Sequence, residues 1–146
     1  MERILISACL VGDNVKYNGG NNKTPFLDKL LEKYELIPFC PEVEGGLKTP
    51  RSPAEIKGEQ VINMDGQDVT VAYEKGAELA FNICLFLKIK KAILKERSPS
   101  CGVHHIYDSS FSHKIIEGSG VTAKYLKEKG ISIYNEDESP LLLNND

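Results

Sequence analysis

The chain has 146 residues, 41% of them hydrophobic and 27% charged, which is the size and composition of one globular domain spanning residues 1–146. Its formal net charge of -3 disfavours a nucleic-acid duplex as the main partner, because proteins that bind duplexes usually carry a basic excess. The absence of an 18-residue apolar run and of a secretion signal excludes a membrane span and predicts a cytoplasmic protein with reduced cysteines.

The chain begins with a short apolar segment that is typical of a buried strand. Residues Ile4–Ala8 form this segment, and Cys9 follows it at the start of a glycine-containing loop. Apolar residues at helical spacing then predict a first helix, which begins at Thr24, has Pro25 in its first turn and runs to Tyr34.

The same order of strand, cysteine and loop recurs twice further along the chain. The second predicted strand, Leu36–Phe39, ends at Cys40 ahead of a loop rich in glycine and proline. A long apolar stripe predicts a helix over Thr70–Leu87. The third strand, Ala92–Leu94, leads into the loop that carries Cys101, where proline and glycine exclude regular structure.

The last segments complete an alternating α/β pattern. A helix is predicted from Ser119 or Gly120 to Lys129, followed by a last strand over 131–134 and an acidic tail, 135–146, that is expected to be loose. Strands that alternate with helices imply crossover connections and therefore parallel pairing. We predict a three-layer, Rossmann-like α/β domain with a mainly parallel sheet of about four or five strands.

The placement of the cysteines indicates a metal centre. Cys9, Cys40 and Cys101 each follow a predicted strand, and the carboxyl ends of parallel strands meet at the edge where open sheets bind ligands. Cys84 lies inside a helix among apolar neighbours, so its predicted role is packing. A closed metal site needs four protein ligands, and these cysteines supply three. Either one coordination position is open, or a fourth ligand such as His104 completes a zinc site.

Four motifs surround these cysteines, at residues 7–12, 39–46, 49–51 and 95–102. Together they resemble the thiouracil desulfidases, a bacterial and archaeal family formerly classed as a domain of unknown function. The resemblance extends from residue 4 to about residue 133. It implies a [4Fe-4S] cluster held by Cys9, Cys40 and Cys101, with one iron not ligated by the protein, and a thiolated pyrimidine as the small-molecule substrate.

The resemblance also implies an acid/base pair beside the cysteines. Glu44 and Ser98 are the predicted pair, and Glu42 and Ser100 are the alternatives in the same two loops. Arg51 is expected to offset the negative charge of a cluster and its neighbouring carboxylates.

Arg97 is a second candidate for this charge compensation. The chain departs from the family pattern at two positions, because Ser109 and His113 stand where the pattern has glycine. This departure concerns the expected lid of the site and hence the choice of substrate, and it leaves the cysteines unaffected.

The sequence is compatible with three functions. The first is non-redox desulfuration of a thiolated pyrimidine to the oxo base, with release of sulfide. The second is a metal-stapled module, with zinc or a cluster, that binds a nucleotide-like ligand without catalysis. The third is an enzyme with Cys40 or Cys101 as nucleophile and a histidine as base, which needs only one reactive thiol. The oligomeric state is not indicated.

Overall fold

The computed structural model describes residues 1–144, and its centre is a four-stranded sheet. The helices are α1 (Leu27–Lys33), α2 (Pro41–Glu44), α3 (Thr70–Leu87) and α4 (Val121–Glu128). The strands are β1 (Glu2–Ser7), β2 (Tyr34–Phe39), β3 (Ala54–Lys57), β4 (Gln60–Asn63), β5 (Lys91–Leu94), β6 (His105–Tyr107), β7 (Ile115–Glu117) and β8 (Ser132–Asn135). Two short 3-10 helices, Ala8–Val11 and Ser139–Leu142, complete the description.

The central sheet has the order β2-β1-β5-β8, and each neighbouring pair is parallel. Parallel pairing follows from the crossover helices, which return the chain to the same edge before each new strand. The predicted α/β fold with a mainly parallel sheet is therefore confirmed, and the carboxyl ends of the strands share one edge. The predicted strands and long helices lie within a few residues of the observed ones.

The two faces of the sheet carry separate apolar cores, because successive side chains of a strand point in opposite directions. On one face Leu5 packs with residues of α3 and α4, including Ala80 and Leu126. On the other face Ile4 and Ile6 pack with α1 and the carboxyl-terminal segment. Helices on both faces give the three predicted layers.

Two small antiparallel hairpins, β3–β4 and β6–β7, lie outside the central sheet. The first was not predicted, because its strands have four residues each and carry only a few apolar side chains. Gly58 lies between those strands with a φ of +64°, a backbone conformation that glycine adopts without steric cost. Residues of both hairpins line a cavity at the carboxyl ends of the parallel strands.

The acidic tail differs from the loose segment that we expected. Leu142 is only 1% exposed and packs in the apolar core beside α1, and its carbonyl accepts a hydrogen bond from the Tyr34 hydroxyl at 2.6 Å. Ser139 is also buried. Burial of an apolar side chain is favourable enough to order this segment despite its acidic composition. Residues 145–146, which belong to the same prediction, lie outside the described residues.

No helix within residues 1–144 is long and apolar enough to cross a membrane.

Helices α2 and α3 approach each other closely at Gly76. A Cβ atom at Gly76 would lie 2.0 Å from the carbonyl oxygen of Pro41, which is far inside van der Waals contact. We expect Gly76→Ala to lower the free energy of unfolding by about 1–3 kcal/mol, the usual cost of overpacking. Urea denaturation measures this loss. Asn82→Ala, on the exposed side of the same helix, is the matched control and should cause no loss; equal stability of both variants would contradict the close approach.

Candidate functional site

Three thiols line one cavity at the carboxyl ends of the parallel strands. Cys9 follows β1, Cys40 follows β2 and caps α2, and Cys101 lies in the loop after β5. All three line a cavity of about 570 Å³. Cys84 is buried in α3 within the apolar core and does not line this cavity. The topology thus brings together the three cysteines singled out from the sequence and separates them from the fourth.

The three thiols differ in their surroundings. Burial raises the pKa of Cys101 most strongly, and the neighbouring Glu42 adds to this effect. Burial also raises the pKa of Cys9, although the Asn22 side chain, whose amide donates to the Cys9 sulfur at 3.7 Å, lowers it in part. The pKa of Cys40 is raised by burial too. In the metal-free protein these groups are thiols, and metal binding must displace their protons.

The donors at the cavity are three cysteine thiols from three separate loops, which is the ligand type that iron-sulfur clusters use. Within the described part of the chain, no three His, Cys, Asp or Glu side chains lie close enough to hold one metal ion. In an iron-sulfur cluster each cysteine binds a different iron, so its thiolates stand further apart than the ligands of one ion. His104 does not serve as a fourth ligand, because its ring pairs with Glu138 at 3.1 Å and does not line the cavity.

Of the two glutamates in the Cys40 motif, Glu42 lines the cavity and the predicted Glu44 does not. The segment that was expected to be a loop forms the short helix α2, and residues two apart on a helix point in different directions. Glu42 therefore lines the cavity, whereas Glu44 is exposed outside it.

Arg51 holds the Glu42 carboxylate in place. Its Nε donates to Glu42 Oε2 at 2.9 Å, and both side chains are largely buried. The remaining guanidinium nitrogens donate to the backbone carbonyls of Val15 at 2.8 Å and Lys48 at 3.2 Å. This buried ion pair is stabilised because its geometry is good and the other donors are satisfied. Arg97, the second basic candidate, is exposed at the cavity wall and forms no ion pair within residues 1–144.

Ser98 is the serine that faces Glu42. Its hydroxyl oxygen accepts hydrogen bonds from the amides of Ser100 at 3.1 Å and Cys101 at 3.0 Å. Since these amides occupy the lone pairs, the hydroxyl proton is directed to Glu42 Oε1, at a long 3.5 Å. Ser100 is fully buried away from the cavity and bonds the Thr122 hydroxyl at 2.9 Å. The structure thus brings Ser98 together with Glu42 and excludes Ser100.

A buried carboxylate, Glu96, organises the loop that carries Ser98 and Cys101. Its oxygens accept hydrogen bonds from the amides of residues 97 and 103–105 and from the Asn135 side chain. Burial raises the pKa of Glu96, but these donors outweigh it and hold the pKa below its ordinary value. Glu96 therefore ties the cysteine loop to the end of β8.

We expect Glu96→Gln to destabilise the protein by about 2–3 kcal/mol at neutral pH, because buried amides lose charged acceptors. The folded-state pKa is depressed, so the contribution of Glu96 is present above its unfolded pKa and is lost as the pH falls through the folded pKa. Thermal denaturation at neutral and acidic pH should show the two proteins converging in acid. Glu128→Gln, at an exposed position, is the control; a constant difference at all pH values would contradict this role.

The β6–β7 hairpin forms the outer wall of the cavity through the side chains of Tyr107, Phe111 and His113. Ser109 and His113, where the family pattern has glycine, both have positive φ, at 77° and 61°. The loop thus keeps a backbone typical of glycine, although it now carries side chains. The departure from the family pattern therefore places a histidine at the cavity.

Several cavity residues were not predicted from the sequence. Tyr73 is buried in the cavity wall, and burial together with the nearby Glu42 raises its pKa well above the ordinary value. Glu55, on β3, is a buried carboxylate in the same wall. A tyrosine on a helix and a glutamate on a short polar strand look like ordinary surface residues, so the sequence held no signal that would distinguish them.

The fold and the cavity define an open parallel α/β protein whose ligand site is built around three thiols. The model of the 2-thiouracil desulfurase family matches residues 4–138, and the chain belongs to this family. This membership confirms the family resemblance of the cysteine motifs.

Two known proteins are similar to this chain over almost its full length. The uncharacterized protein YbbK of Bacillus subtilis (strain 168) is 41% identical over 145 residues, which covers 92% of this chain and 96% of the relative. The solved structure of the [4Fe-4S]-dependent thiouracil desulfidase TudS is 44% identical and covers 97% of this chain and 95% of its own. Its TM-score is 0.92. The chain therefore resembles both proteins over almost their full lengths.

Proposed function

We propose that this protein is an iron-sulfur enzyme that replaces the sulfur of a small thiolated pyrimidine with oxygen and releases sulfide. The observation that carries this proposal is the cavity in which three free thiols and the Glu42–Ser98 pair occur together. Membership in the 2-thiouracil desulfurase family supports the activity. The likeness to TudS supports the dependence on a [4Fe-4S] cluster. The four free cysteines also support a reducing compartment, and we propose the cytoplasm.

The cluster would be held by Cys9, Cys40 and Cys101, which supply three ligands for four irons. When bound, it supplies a Lewis-acidic iron without a protein ligand, suited to a thiocarbonyl sulfur. The overall reaction is a hydrolysis, in which a C–O bond to water forms and the C–S bond breaks. Carbon keeps its oxidation state, so no oxidant or reductant is required.

The residues of the chain supply the proton transfers. The Glu42 carboxylate is the base that accepts a proton from the attacking water, and Arg51 holds it in position. Ser98 lies between this carboxylate and the Cys101 amide, where its hydroxyl can pass a proton toward the departing sulfur.

The direct test is an anaerobic assay of the reconstituted protein with 2-thiouracil and 4-thiouracil. We expect sulfide and uracil in equal amounts, and protein from which the iron has been removed should be inactive. The iron and sulfide content and the ultraviolet-visible spectrum establish that the cluster is present. If the loaded protein binds these compounds without releasing sulfide, the metal-stapled binding module is the better interpretation. Turnover by the metal-free protein would instead favour a cysteine nucleophile.

A further inference from the structure

The β3–β4 hairpin places one carboxylate, Glu55, in the wall of the cavity. Glu55 is 7% exposed and belongs to a short strand outside the central sheet, so it reaches the cavity independently of the three cysteine loops. Its backbone is held by pairing with Ile62 on β4. The position of the carboxylate is therefore defined by a hydrogen-bonded hairpin, which is a firmer support than a loop.

Glu55 has fewer ion-pair and hydrogen-bond partners than the other two carboxylates at the cavity. Glu42 is paired with Arg51, and Glu96 accepts several backbone amides and the Asn135 side chain. Among the residues that the structure describes, Glu55 has no ion pair, and its side chain accepts one hydrogen bond, from the Phe111 amide to Oε1 at 3.1 Å. A carboxylate has about four acceptor sites, so most of this capacity is unused.

A buried carboxylate with unused acceptor sites favours a ligand that donates hydrogen bonds, because burying a charge without partners is costly. The one bond that it does make connects it to Phe111, whose ring lines the same cavity together with Tyr107. An aromatic wall beside an anionic acceptor suits a flat heterocycle that has an N–H group at its edge.

We propose that Glu55 accepts a hydrogen bond from the substrate, donated by the ring N–H next to the thiocarbonyl carbon. It thereby selects heterocycles that contain an unsubstituted –NH–C(=S)– unit. This inference rests on the proposed function, because it assigns the ligand of the same cavity. Glu55 contacts the substrate and orients its C=S carbon, and the proton transfers remain with the Glu42–Ser98 pair.

The experiment compares 4-thiouracil with 3-methyl-4-thiouracil, in which a methyl group replaces the only N–H beside the C=S carbon. A hydrogen bond to a charged group contributes roughly 1.5–3 kcal/mol, which corresponds to about a 10- to 150-fold change in binding. We expect the reconstituted wild type to show a KM higher by about this factor for the methylated compound. Glu55→Leu should raise the KM for 4-thiouracil by a similar factor and abolish the discrimination, with a smaller effect on kcat.

Two further variants complete the design. Glu55→Gln keeps a carbonyl acceptor without the charge and should recover part of the discrimination that Glu55→Leu loses. Glu59→Gln changes an exposed carboxylate at the turn of the same hairpin and should behave as wild type. Calorimetric binding of 4-thiouracil to each loaded protein provides a second measurement that does not require turnover, and the wild-type comparison of the two compounds does not require any variant to fold.

The outcomes separate this inference from the proposed function. If wild type releases sulfide equally well from both compounds, or Glu55→Leu retains the discrimination, Glu55 is not the recognition residue and the desulfidase activity still stands. If wild type releases no sulfide but binds 4-thiouracil more tightly than its methylated form in a manner that depends on Glu55, only the proposed function is overturned. If neither compound binds, both are overturned.

Discussion

Replacement of Cys9, Cys40 or Cys101 by serine should remove most of the iron from the protein and abolish sulfide release. Each thiol lines the cavity and would bind a different iron, so the loss of one leaves two ligands for the cluster. Changes in outer-shell partners of metal sites already cost up to about 100-fold in affinity or activity, and the loss of a direct ligand should cost more. Iron and sulfide analysis after anaerobic reconstitution measures the effect.

Cys84→Ala is the matched control for this experiment. Cys84 is at least as buried as the other three cysteines. It lies on α3 within the apolar core, away from the cavity. We expect it to keep nearly full iron content with, at most, a modest loss of stability from the smaller side chain. Equal loss of iron in all four variants would mean that the separation of Cys84 is wrong. Full iron content in any of the three cavity variants would mean that its cysteine is not a ligand.

Glu42→Gln and Ser98→Ala should each lower kcat for thiouracil desulfuration by about 100-fold or more while the cluster content stays unchanged. This is the usual size of the contribution from a positioned acid or base. Glutamine keeps the shape of Glu42 and a hydrogen-bond acceptor, so the loss reports the missing base. Matched iron content is essential, because Glu42 and Ser98 lie next to the thiols.

Glu44→Gln is the decisive comparison, since Glu44 was the residue favoured by motif resemblance. Glu44 is exposed and outside the cavity, so this variant should retain the wild-type kcat. If Glu44→Gln lost activity and Glu42→Gln did not, the assignment based on the cavity would be wrong. If neither variant lost activity, the base would have to come from another group in the cavity.

The choice between Glu42 and Glu44 shows why part of the site was not accessible from sequence. Both glutamates lie in the same motif, two residues apart. Only the helical path of α2 turns one of them into the cavity and the other toward solvent. Ser98 and Ser100 differ in a similar way, because Ser98 faces Glu42 while Ser100 is enclosed against Thr122.

The acidic tail shows a second reason why sequence-based prediction fails. Composition does not reveal whether the rest of the fold offers a surface on which a segment can pack. The charged residues of this tail are typical of a loose segment, but Leu142 is buried in the apolar core beside α1. The hairpin β3–β4 was missed for a related reason. Its short, half-exposed strands lack the strong alternation that identifies a buried strand.

By itself, the sequence determined the alternating order of strands and helices, the parallel sheet that this order requires, and the position of Cys9, Cys40 and Cys101 at the ends of strands. These features follow from local periodicity and from the directional rule that crossover helices impose. The tertiary structure alone decided which carboxylates and hydroxyls meet those thiols. In the structure Glu42 and Ser98 line the cavity, together with Glu55 from a distant hairpin. The physical reason is that contacts between remote segments depend on side-chain direction and packing, which no local pattern of residues encodes.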